Sequence, residues 1–456
     1  MENKDKITYA LLLVFIAVFI AVAAKGLKTP QPGDENVYFY MVKLINEGKL
    51  PYRDFFYAHP PLDLYITSLV YNIFGFNIIF LKLVPLVSTF ITAFFVFKTA
   101  KEKFGRNEAV ISSLIFLFSY SVLFNSVFSL GITTSTMFLV IGFYFVYVRK
   151  RYYFGGLFFA LAASARLLAL VPVFIILLFV LLSSKKSFLK LASAFLVIFF
   201  LFNGIFIFVS GSAYVNSVYK YHFLKNAGLE QNFDEYFDVI KLNLALFLSS
   251  FLIILARNKK TLSLPLAISI TYLVFLFSIK RLFGFYFLIV LPFLAIIGGY
   301  SLSYLYKRDI KKKYKIIFLF IFFLFFFWSI ISDIIFLQKI GFSGFERGDD
   351  LTEFALANSN QKTKLFGDSS IAPLLALMTN KEIALDFADT NDQVFSSGIV
   401  DANDLLQKLK SEEILFILRD TGLSSLNEIR EFVSKNCEFL ASFRDELEGN
   451  YIFYKC

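Results

Sequence analysis

The stretch Gly33–Leu62, GDENVYFYMVKLINEGKLPYRDFFYAHPPL, decides how this chain is read. It follows the first apolar segment directly and is the longest polar interruption before the C-terminal tail. It holds an acidic pair, Asp34-Glu35, one of only two histidines, His59, with Tyr57 beside it, and a Pro60-Pro61 break. Acids, a histidine, an arginine and several tyrosines next to a membrane are the residue types of a reaction site. The plainer reading is a solvated loop. On that reading Asp34 is the N-cap of a short helix over Asn36–Glu47 that ends at Gly48. Pro61 then opens a second helical run through Ile73. Its Asp63 and Tyr65 suit the membrane interface.

Outward from this loop the chain is apolar. Of 456 residues 57% are hydrophobic, with 62 Phe. Repeated apolar runs approach the ~20 residues that cross a bilayer, so the class is a polytopic α-helical membrane protein. The net charge of +10 divides unevenly. From Ile340 to Cys456 there are 11 Lys and Arg against 20 Asp and Glu, which leaves 34 against 15 in the remainder. The basic excess therefore flanks membrane segments and forms no nucleic-acid patch. No CxxC or HExxH pattern is present, which argues against a zinc site. Cys437 and Cys456, the only cysteines, are able to pair if the tail is extracytoplasmic; their spacing alone leaves this open.

Lys4 and Lys6 before the first run, Ile7–Ala24, put the N-terminus in the cytoplasm and the Lys25–Pro61 loop outside. The Ala-Val-Ala-Ala-Lys ending resembles a signal cleavage site, but the loop returns to the membrane so soon that a retained anchor is expected. Runs at Asn77–Phe97, Glu108–Phe124, Gly131–Val148, Phe154–Ala163, Leu167–Leu182, Phe188–Val209, Val239–Leu255, Leu262–Ile279, Phe285–Tyr306 and Ile316–Leu337 bring the expectation to about eleven spans. Each large basic cluster falls on one side: Lys98–Arg106, Arg149–Arg151, Lys185-Lys186, Arg257–Lys260 and Lys307–Lys315. The expected domains are residues 1–339 in the membrane and residues 340–456 as a soluble extracytoplasmic α/β domain. In the tail, Lys364–Gly367 and Ile414–Leu418 read as buried strands, and Asp404–Lys410 and Leu426–Ser434 as amphipathic helices. The tail carries no P-loop, nucleophile elbow or dinucleotide fingerprint.

Some charges do not belong in lipid. Arg166 lies in a small, apolar run, where a bilayer-facing arginine costs roughly 2.5–3.5 kcal/mol. Lys280-Arg281 breaks the positive-inside pattern at an outer end. Lys82 lies near another outer end and is able to snorkel, and His222 lies in the second outer loop, Ser210–Asp238. Cations grouped at the outer leaflet suit a lipid phosphate, and a nearby acid suits removal of a proton from an incoming hydroxyl. Together they describe transfer of a group from a lipid phosphate to an acceptor. A transporter or flippase would concentrate such charges near the midplane, commonly with internal repeats, and none is visible. A polysaccharide polymerase or ligase would share the hydropathy and the large outer loop.

The order of these features resembles the GT-C glycosyltransferase superfamily. It is nearest the branch of the protein O-mannosyltransferases and lipid A aminoarabinose transferases. The features are one N-terminal span, a loop opening on Asp34-Glu35 with GKLPYRDF downstream, and a Pro-Pro-Leu entering an interface helix. The segments Ala163–Arg166 and Arg281–Pro292 add to the likeness. The resemblance implies an inverting transferase that uses a polyprenyl- or dolichyl-phosphate-linked sugar, with a protein, glycan or lipid as acceptor. Asp34 would act as the base or orient the acceptor, supported by Glu35. His59, Tyr57, Lys82, Arg166, His222, Lys280 and Arg281 would contact the donor phosphate or the substrate. His59 stands where relatives often carry Lys. Relatives differ in using a divalent cation in this loop, so magnesium or manganese stays open, with no ligands there beyond Asp34 and Glu35. The tail resembles the variable domains of prokaryotic members.

Overall fold

The structure is a computed structural model that describes residues 3–225, 229–256, 260–307, 312–342, 345, 347–445 and 449–456. Arg257 to Lys259 and residues 308–311, parts of two basic clusters named above, lie outside this set. The chain separates into two compact units. One comprises residues 1–28, 82–203 and 228–342; the other comprises residues 29–81, 204–227 and 343–456.

The first unit is helical. Its opening helix, Asn3–Lys28, runs through the expected anchor. Its end is fastened to the segment after the last long helix: Gln338 donates to the Val22 carbonyl at 2.7 Å, and Lys25 donates to the Gln338 carbonyl. Among the described residues, three helices are long and apolar enough to cross a membrane: Ile78–Lys103, Lys185–Ser210 and Phe322–Gly341. Their outward faces are oily, with Val197, Phe200, Leu201 and Trp328 all more than 60% exposed, a surface that suits lipid.

Two expected spans are broken, each at a polar residue whose side chain bonds a backbone carbonyl of the preceding turn. The Glu108–Phe124 run divides into Arg106–Leu117 and Tyr120–Asn125, and the Ser119 hydroxyl at the break donates to the Phe116 carbonyl. The Val239–Leu255 run is the second arm of a pair, Gln231–Leu242 and Leu244–Leu255, bent by 80°. At that bend Asn243 accepts from the Ser121 amide at 3.0 Å and donates to the Ser121 hydroxyl at 2.8 Å. The short Phe154–Ala163 run becomes a 14-residue helix, Tyr152–Ala165, which ends where Arg166 turns extended. At 1.5 Å per residue such a helix is about 21 Å long, short of a ~30 Å hydrocarbon layer.

Small residues set the helix spacing. A Cβ on Gly299 would stand 2.1 Å from the Ser112 hydroxyl and 2.7 Å from the Ser112 backbone nitrogen. Helices Arg106–Leu117 and Leu291–Lys307 therefore touch backbone to backbone, a close approach that favours small residues in membranes. Nearby, Glu108 accepts from Ser303 at 2.7 Å and pairs with Lys307 at 2.5 Å, which ties the same two helices at one end.

In the second unit the two first-loop helices are Asp34–Asn46 and Leu62–Phe74. The expected end at Gly48 holds, and that glycine takes a left-handed φ of 89°. The expected N-cap role of Asp34 does not. Gly33 occupies the cap, and Asp34 is the first helical residue. The reason is tertiary: the Gly33 amide donates to the Ser370 carbonyl at 2.9 Å, which fixes the cap one residue earlier.

The tail contributes a four-stranded sheet, β1 Lys364–Gly367, β2 Ile414–Arg419, β3 Glu438–Asp445 and β4 Gly449–Lys455, in the order β1-β2-β4-β3. β1 and β2 are parallel, and the other neighbours are antiparallel. Both expected strands and both expected helices are present, the latter as Ala402–Leu409 and Asn427–Asn436. The buried runs Leu365-Phe366 and Leu415-Phe416-Ile417 form the core. Cys437 and Cys456 are joined by a disulfide that closes the β3–β4 hairpin to its own end. A loop of this size stabilises by about 3 kcal/mol through the unfolded chain. Cys437→Ser with Cys456→Ser is expected to lower the stability of the tail by about that amount, read as earlier cleavage in limited proteolysis.

Candidate functional site

Helix Asp34–Asn46 is a buried element with one accessible end. Glu35 and Asn36 are fully buried, whereas Asp34 is exposed in the first turn. The helix dipole favours a negative charge there. Of the two acids expected to work together, Asp34 is open to solvent and Glu35 is not. Asn36 holds the turn by donating to the Gln31 carbonyl at 2.7 Å. Further along, the Tyr40 hydroxyl accepts from the Ile383 amide at 2.6 Å, and burial keeps that phenol protonated well above its usual range.

One helical turn after Asp34, Tyr38 leads to the histidines. Its ring lies 5.7 Å from Tyr57 and 6.2 Å from His59, both in edge contact. His59 stacks on His222 at 5.3 Å with the planes 26° apart. The only two histidines of the chain are therefore neighbours, brought together from stretches more than 150 residues apart. His222 Nε2 is 2.8 Å from the Ala58 carbonyl, and the Tyr52 hydroxyl donates to the His59 carbonyl at 2.5 Å. Tyr57 is buried and forms the floor of this group.

The tail supplies a member that sequence reasoning missed. Asp389 keeps some surface at the residue's edges, but its carboxyl group lies deep. Burial, and then the negative charge of Asp34, push that carboxyl up to about 7; the Asn391 amide and Lys225 act in the opposite direction. Lys225, also missed, lies three residues after His222 with its ammonium 4.8 Å above the Tyr221 ring. The local string Phe387-Ala-Asp-Thr-Asn-Asp392 reads as a turn, and nothing in it points to Asp34.

A carboxyl raised in this way links proton binding to folding. An aspartate in the unfolded chain titrates near pH 3.9. The fold holds the Asp389 proton more tightly, so the stabilising contribution is complete below about pH 4 and is lost as the pH rises to about 7. Thermal unfolding is expected to move to lower temperature across that window and then level off. Asp389→Asn removes that slope and is the more stable protein at pH 8.

The remaining predicted residues belong to the first unit. Lys82 is fully buried and donates to the Gly26 carbonyl at 3.1 Å. Arg166 is buried at the break after helix Tyr152–Ala165 and donates to the Leu130 carbonyl. Lys280 is exposed, and the guanidinium of Arg281 lies 5.9 Å from the Phe283 ring. The Nε of Arg281 is buried with no hydrogen-bond partner among the described residues. Asn232, another residue missed from sequence, clamps their turn. It donates to the Ile279 and Lys280 carbonyls at 2.8 and 3.1 Å and accepts from the Leu282 amide at 2.7 Å. Asn232→Ala leaves these groups to pair elsewhere at a cost of about 1–3 kcal/mol. Faster amide exchange at Leu282 is the expected readout.

No group of three or more His, Cys, Asp or Glu that could hold a metal ion occurs among the described residues. Magnesium commonly keeps several waters and takes only one or two carboxylates beside substrate phosphates, so a lone accessible acid neither requires it nor bars it. No step is therefore assigned to a metal.

Residues 58–209 match the family of dolichyl-phosphate-mannose-protein mannosyltransferases. No curated protein matches the chain. The structure of ArnT from Cupriavidus metallidurans bound to undecaprenyl phosphate superposes with a TM-score of 0.68 over 98% of each chain, at 13% identity. The chain has the GT-C glycosyltransferase fold. The oligosaccharyltransferase AglB of Archaeoglobus fulgidus, in complex with an inhibitory peptide and a dolichol-phosphate, shares the GT-C fold over 89% of this chain and 69% of its own. Its TM-score is 0.54 and its identity 11%. The same oligosaccharyltransferase is also known in complex with zinc and sulfate. The expected membrane location and the expected likeness to protein mannosyltransferases and aminoarabinose transferases are borne out.

Proposed function

We propose that the protein transfers a sugar from a polyprenyl- or dolichyl-phosphate donor to a hydroxyl-bearing acceptor at the outer face of the membrane, with inversion at the anomeric carbon. The observation that carries this reading is the accessible Asp34, presented at the head of an otherwise buried helix in a chain with the GT-C fold. The acceptor hydroxyl gives its proton to the Asp34 carboxylate as its oxygen bonds to the anomeric carbon. The bond from that carbon to the phosphate oxygen breaks, and its electron pair leaves on the lipid phosphate. Fixed cations stabilise that charge better than mobile water does. Arg281 is the leading candidate for this role, since its Nε is a buried donor suited to an anion. Arg166, Lys280 and Lys82 are to be tested one by one, together with the His59–His222 pair.

The orientation belongs to the same proposal: N-terminus in the cytoplasm, about eleven passes in all, and residues 340–456 outside. The Cys437–Cys456 disulfide supports it, because such bonds persist in oxidising compartments. The test is release of labelled sugar from polyprenyl-phosphate mannose, and from donors bearing other sugars, by the purified protein. Release above the protein-free level is expected. Absence of release from every lipid-linked donor would sink the reading and turn attention to transport.

A further inference from the structure

The head of helix Asp34–Asn46 is set by a chain of hydrogen bonds that begins inside the tail. Gly33 stands at φ 148° and ψ 179°, a backbone conformation that residues with side chains rarely adopt. A glycine has no side chain with which to cap the helix, and a first turn frays when its amides lack partners. Here both backbone groups of Gly33 are held. Its carbonyl accepts from the Asn36 amide at 3.1 Å, and its amide donates to the Ser370 carbonyl at 2.9 Å. Ser370 is fixed in turn. Its amide and its hydroxyl both donate to Asp368 Oδ1, at 3.0 and 2.6 Å, and Arg419 Nη1 donates to its hydroxyl oxygen at 3.0 Å. The second oxygen of that buried carboxyl accepts from the Leu423 amide at 3.3 Å. The Asp368 amide donates to the Ile417 carbonyl at 2.9 Å, which roots the network in the sheet. Asp368 and Ser370 follow β1, and Arg419 closes β2. The network thus gathers at the carboxyl ends of the two parallel strands, the end at which α/β sheets present their functional groups.

We infer that Ser370, Asp368 and Arg419 are positioning residues of the transfer site: through the Gly33 amide they fix where Asp34 presents its carboxylate. This inference rests on the proposed role of Asp34. Each residue has two soft backbone dihedrals, and those of glycine are the least restricted. Asp34, next in the chain and exposed, therefore swings with any turn about Gly33 unless the Gly33 amide is anchored. A base must lie within hydrogen-bond reach of the proton it takes, and a misplacement of about 1 Å costs up to roughly 100-fold in rate. The helix is already moored further along, by the Tyr40 hydroxyl on the Ile383 amide at 2.6 Å and by Lys49 on Asp386 at 2.5 Å. The bond to Ser370 is left to govern the first turn, where the acid stands. A buried carboxyl is costly unless its oxygens are satisfied. Two of the three donors that satisfy Asp368 belong to Ser370, so the buried acid is spent on holding the residue that holds Gly33.

The test is hydrogen exchange at the Gly33 amide of the full-length protein in detergent, run beside steady-state sugar release from polyprenyl-phosphate mannose. Ser370→Ala removes the hydroxyl that joins Asp368 to Arg419. Protection of the Gly33 amide is expected to fall about tenfold, the effect of one lost hydrogen bond. kcat falls by about 10- to 100-fold with the KM for the donor unchanged, because the network acts on the base and not on the donor. Ser370→Thr, which keeps the hydroxyl, recovers most of both. Gly422→Ala reaches the network without altering Ser370, since a Cβ there would stand 2.4 Å from Asp368 Oδ2, and it is expected to act in the same direction. Gly398→Ala carries a like left-handed strain, at φ 70° against 74°, with nothing within 4 Å of the added carbon, and it keeps the wild-type kcat. Unchanged protection of Gly33 in Ser370→Ala overturns the inference, as does a wild-type kcat in that variant beside an inactive Asp34→Asn. So does a fall in kcat in Gly398→Ala as large as that in Ser370→Ala, which would trace the loss to a weakened tail. A wild type that releases no sugar from any lipid-linked donor is instead a failure of the transferase reading, and the positioning role falls with it.

Discussion

Sugar release from a polyprenyl-phosphate donor is expected to fall by about 10²- to 10⁴-fold in Asp34→Asn, the range ascribed to a lost general base. The folded structure should scarcely notice. Asp34 is not the helix cap and sits exposed in the first turn. Its structural value is its interaction with the helix dipole, about 0.3–1 kcal/mol. Removing it also relieves the repulsion on Asp389, so the two effects oppose each other. Near-wild-type melting with a collapsed rate would therefore locate the loss in chemistry. Glu35→Gln should give the contrasting pattern, a loss of stability first, because Glu35 is wholly buried. An Asp34→Asn protein with full activity would remove the base from the scheme and leave His59 as the next group to test.

The second large effect is structural. Gly367 ends β1, opposite Ile417 of β2. A Cβ added there would lie 1.9 Å from the Ile417 carbonyl oxygen and 2.8 Å from the Ile417 nitrogen. These are backbone atoms of a paired strand, and they cannot rotate away as a side chain would. The next residue, Asp368, donates its amide to that same carbonyl at 2.9 Å. Gly367→Ala must therefore open the parallel pairing of β1 with β2. It must also displace the carbonyl that receives Thr390. A loss of about 3–5 kcal/mol is expected, in the range reserved for named core defects. Gly398→Ala is the control. That glycine is also left-handed, at φ 70°, but nothing lies within 4 Å of the added carbon. Its cost should be about 1–2 kcal/mol, the conformational term alone. Denaturant unfolding of the two variants separates a backbone clash from a backbone preference. Equal losses would show that the β1–β2 approach is looser than described.

Much of this was legible in the chain, and the exceptions share a cause. β1 and β2 were visible because both are short apolar runs between polar residues. The helix after Gly33 was visible because its apolar spacing is closed by Gly48. The N-cap was misread because a tertiary bond from Ser370 chose Gly33 over the better side chain at Asp34. Apolar runs overstated two helices, since hydropathy does not register that Ser119 and Asn243 interrupt the backbone while bonding it. The β3–β4 hairpin went unnoticed although its alternating EFLASFRD was a readable signal. Asp389 and Lys225 were beyond reach. Each acquires meaning only from a partner supplied by a distant stretch of the chain, and no local pattern encodes that meeting.

The interleaved make-up of the second unit has a consequence for how the protein is made. A ribosome delivers the Asp34–Asn46 helix within the first tenth of the chain, but the residues that cap, pin and cover it come from Ile383, Ser370 and Asp386 near the other end. Until the last hundred residues emerge, that helix has no partner for the Gly33 amide or the Tyr40 hydroxyl. Contacts this remote in sequence close slowly, because the long intervening chain must first be organised. Chains stopped short of the tail should thus carry every residue of the first loop and still lack a finished one. The last segment synthesised is then the step that brings the first loop into working order, and quality control acting on the tail acts on the site as well.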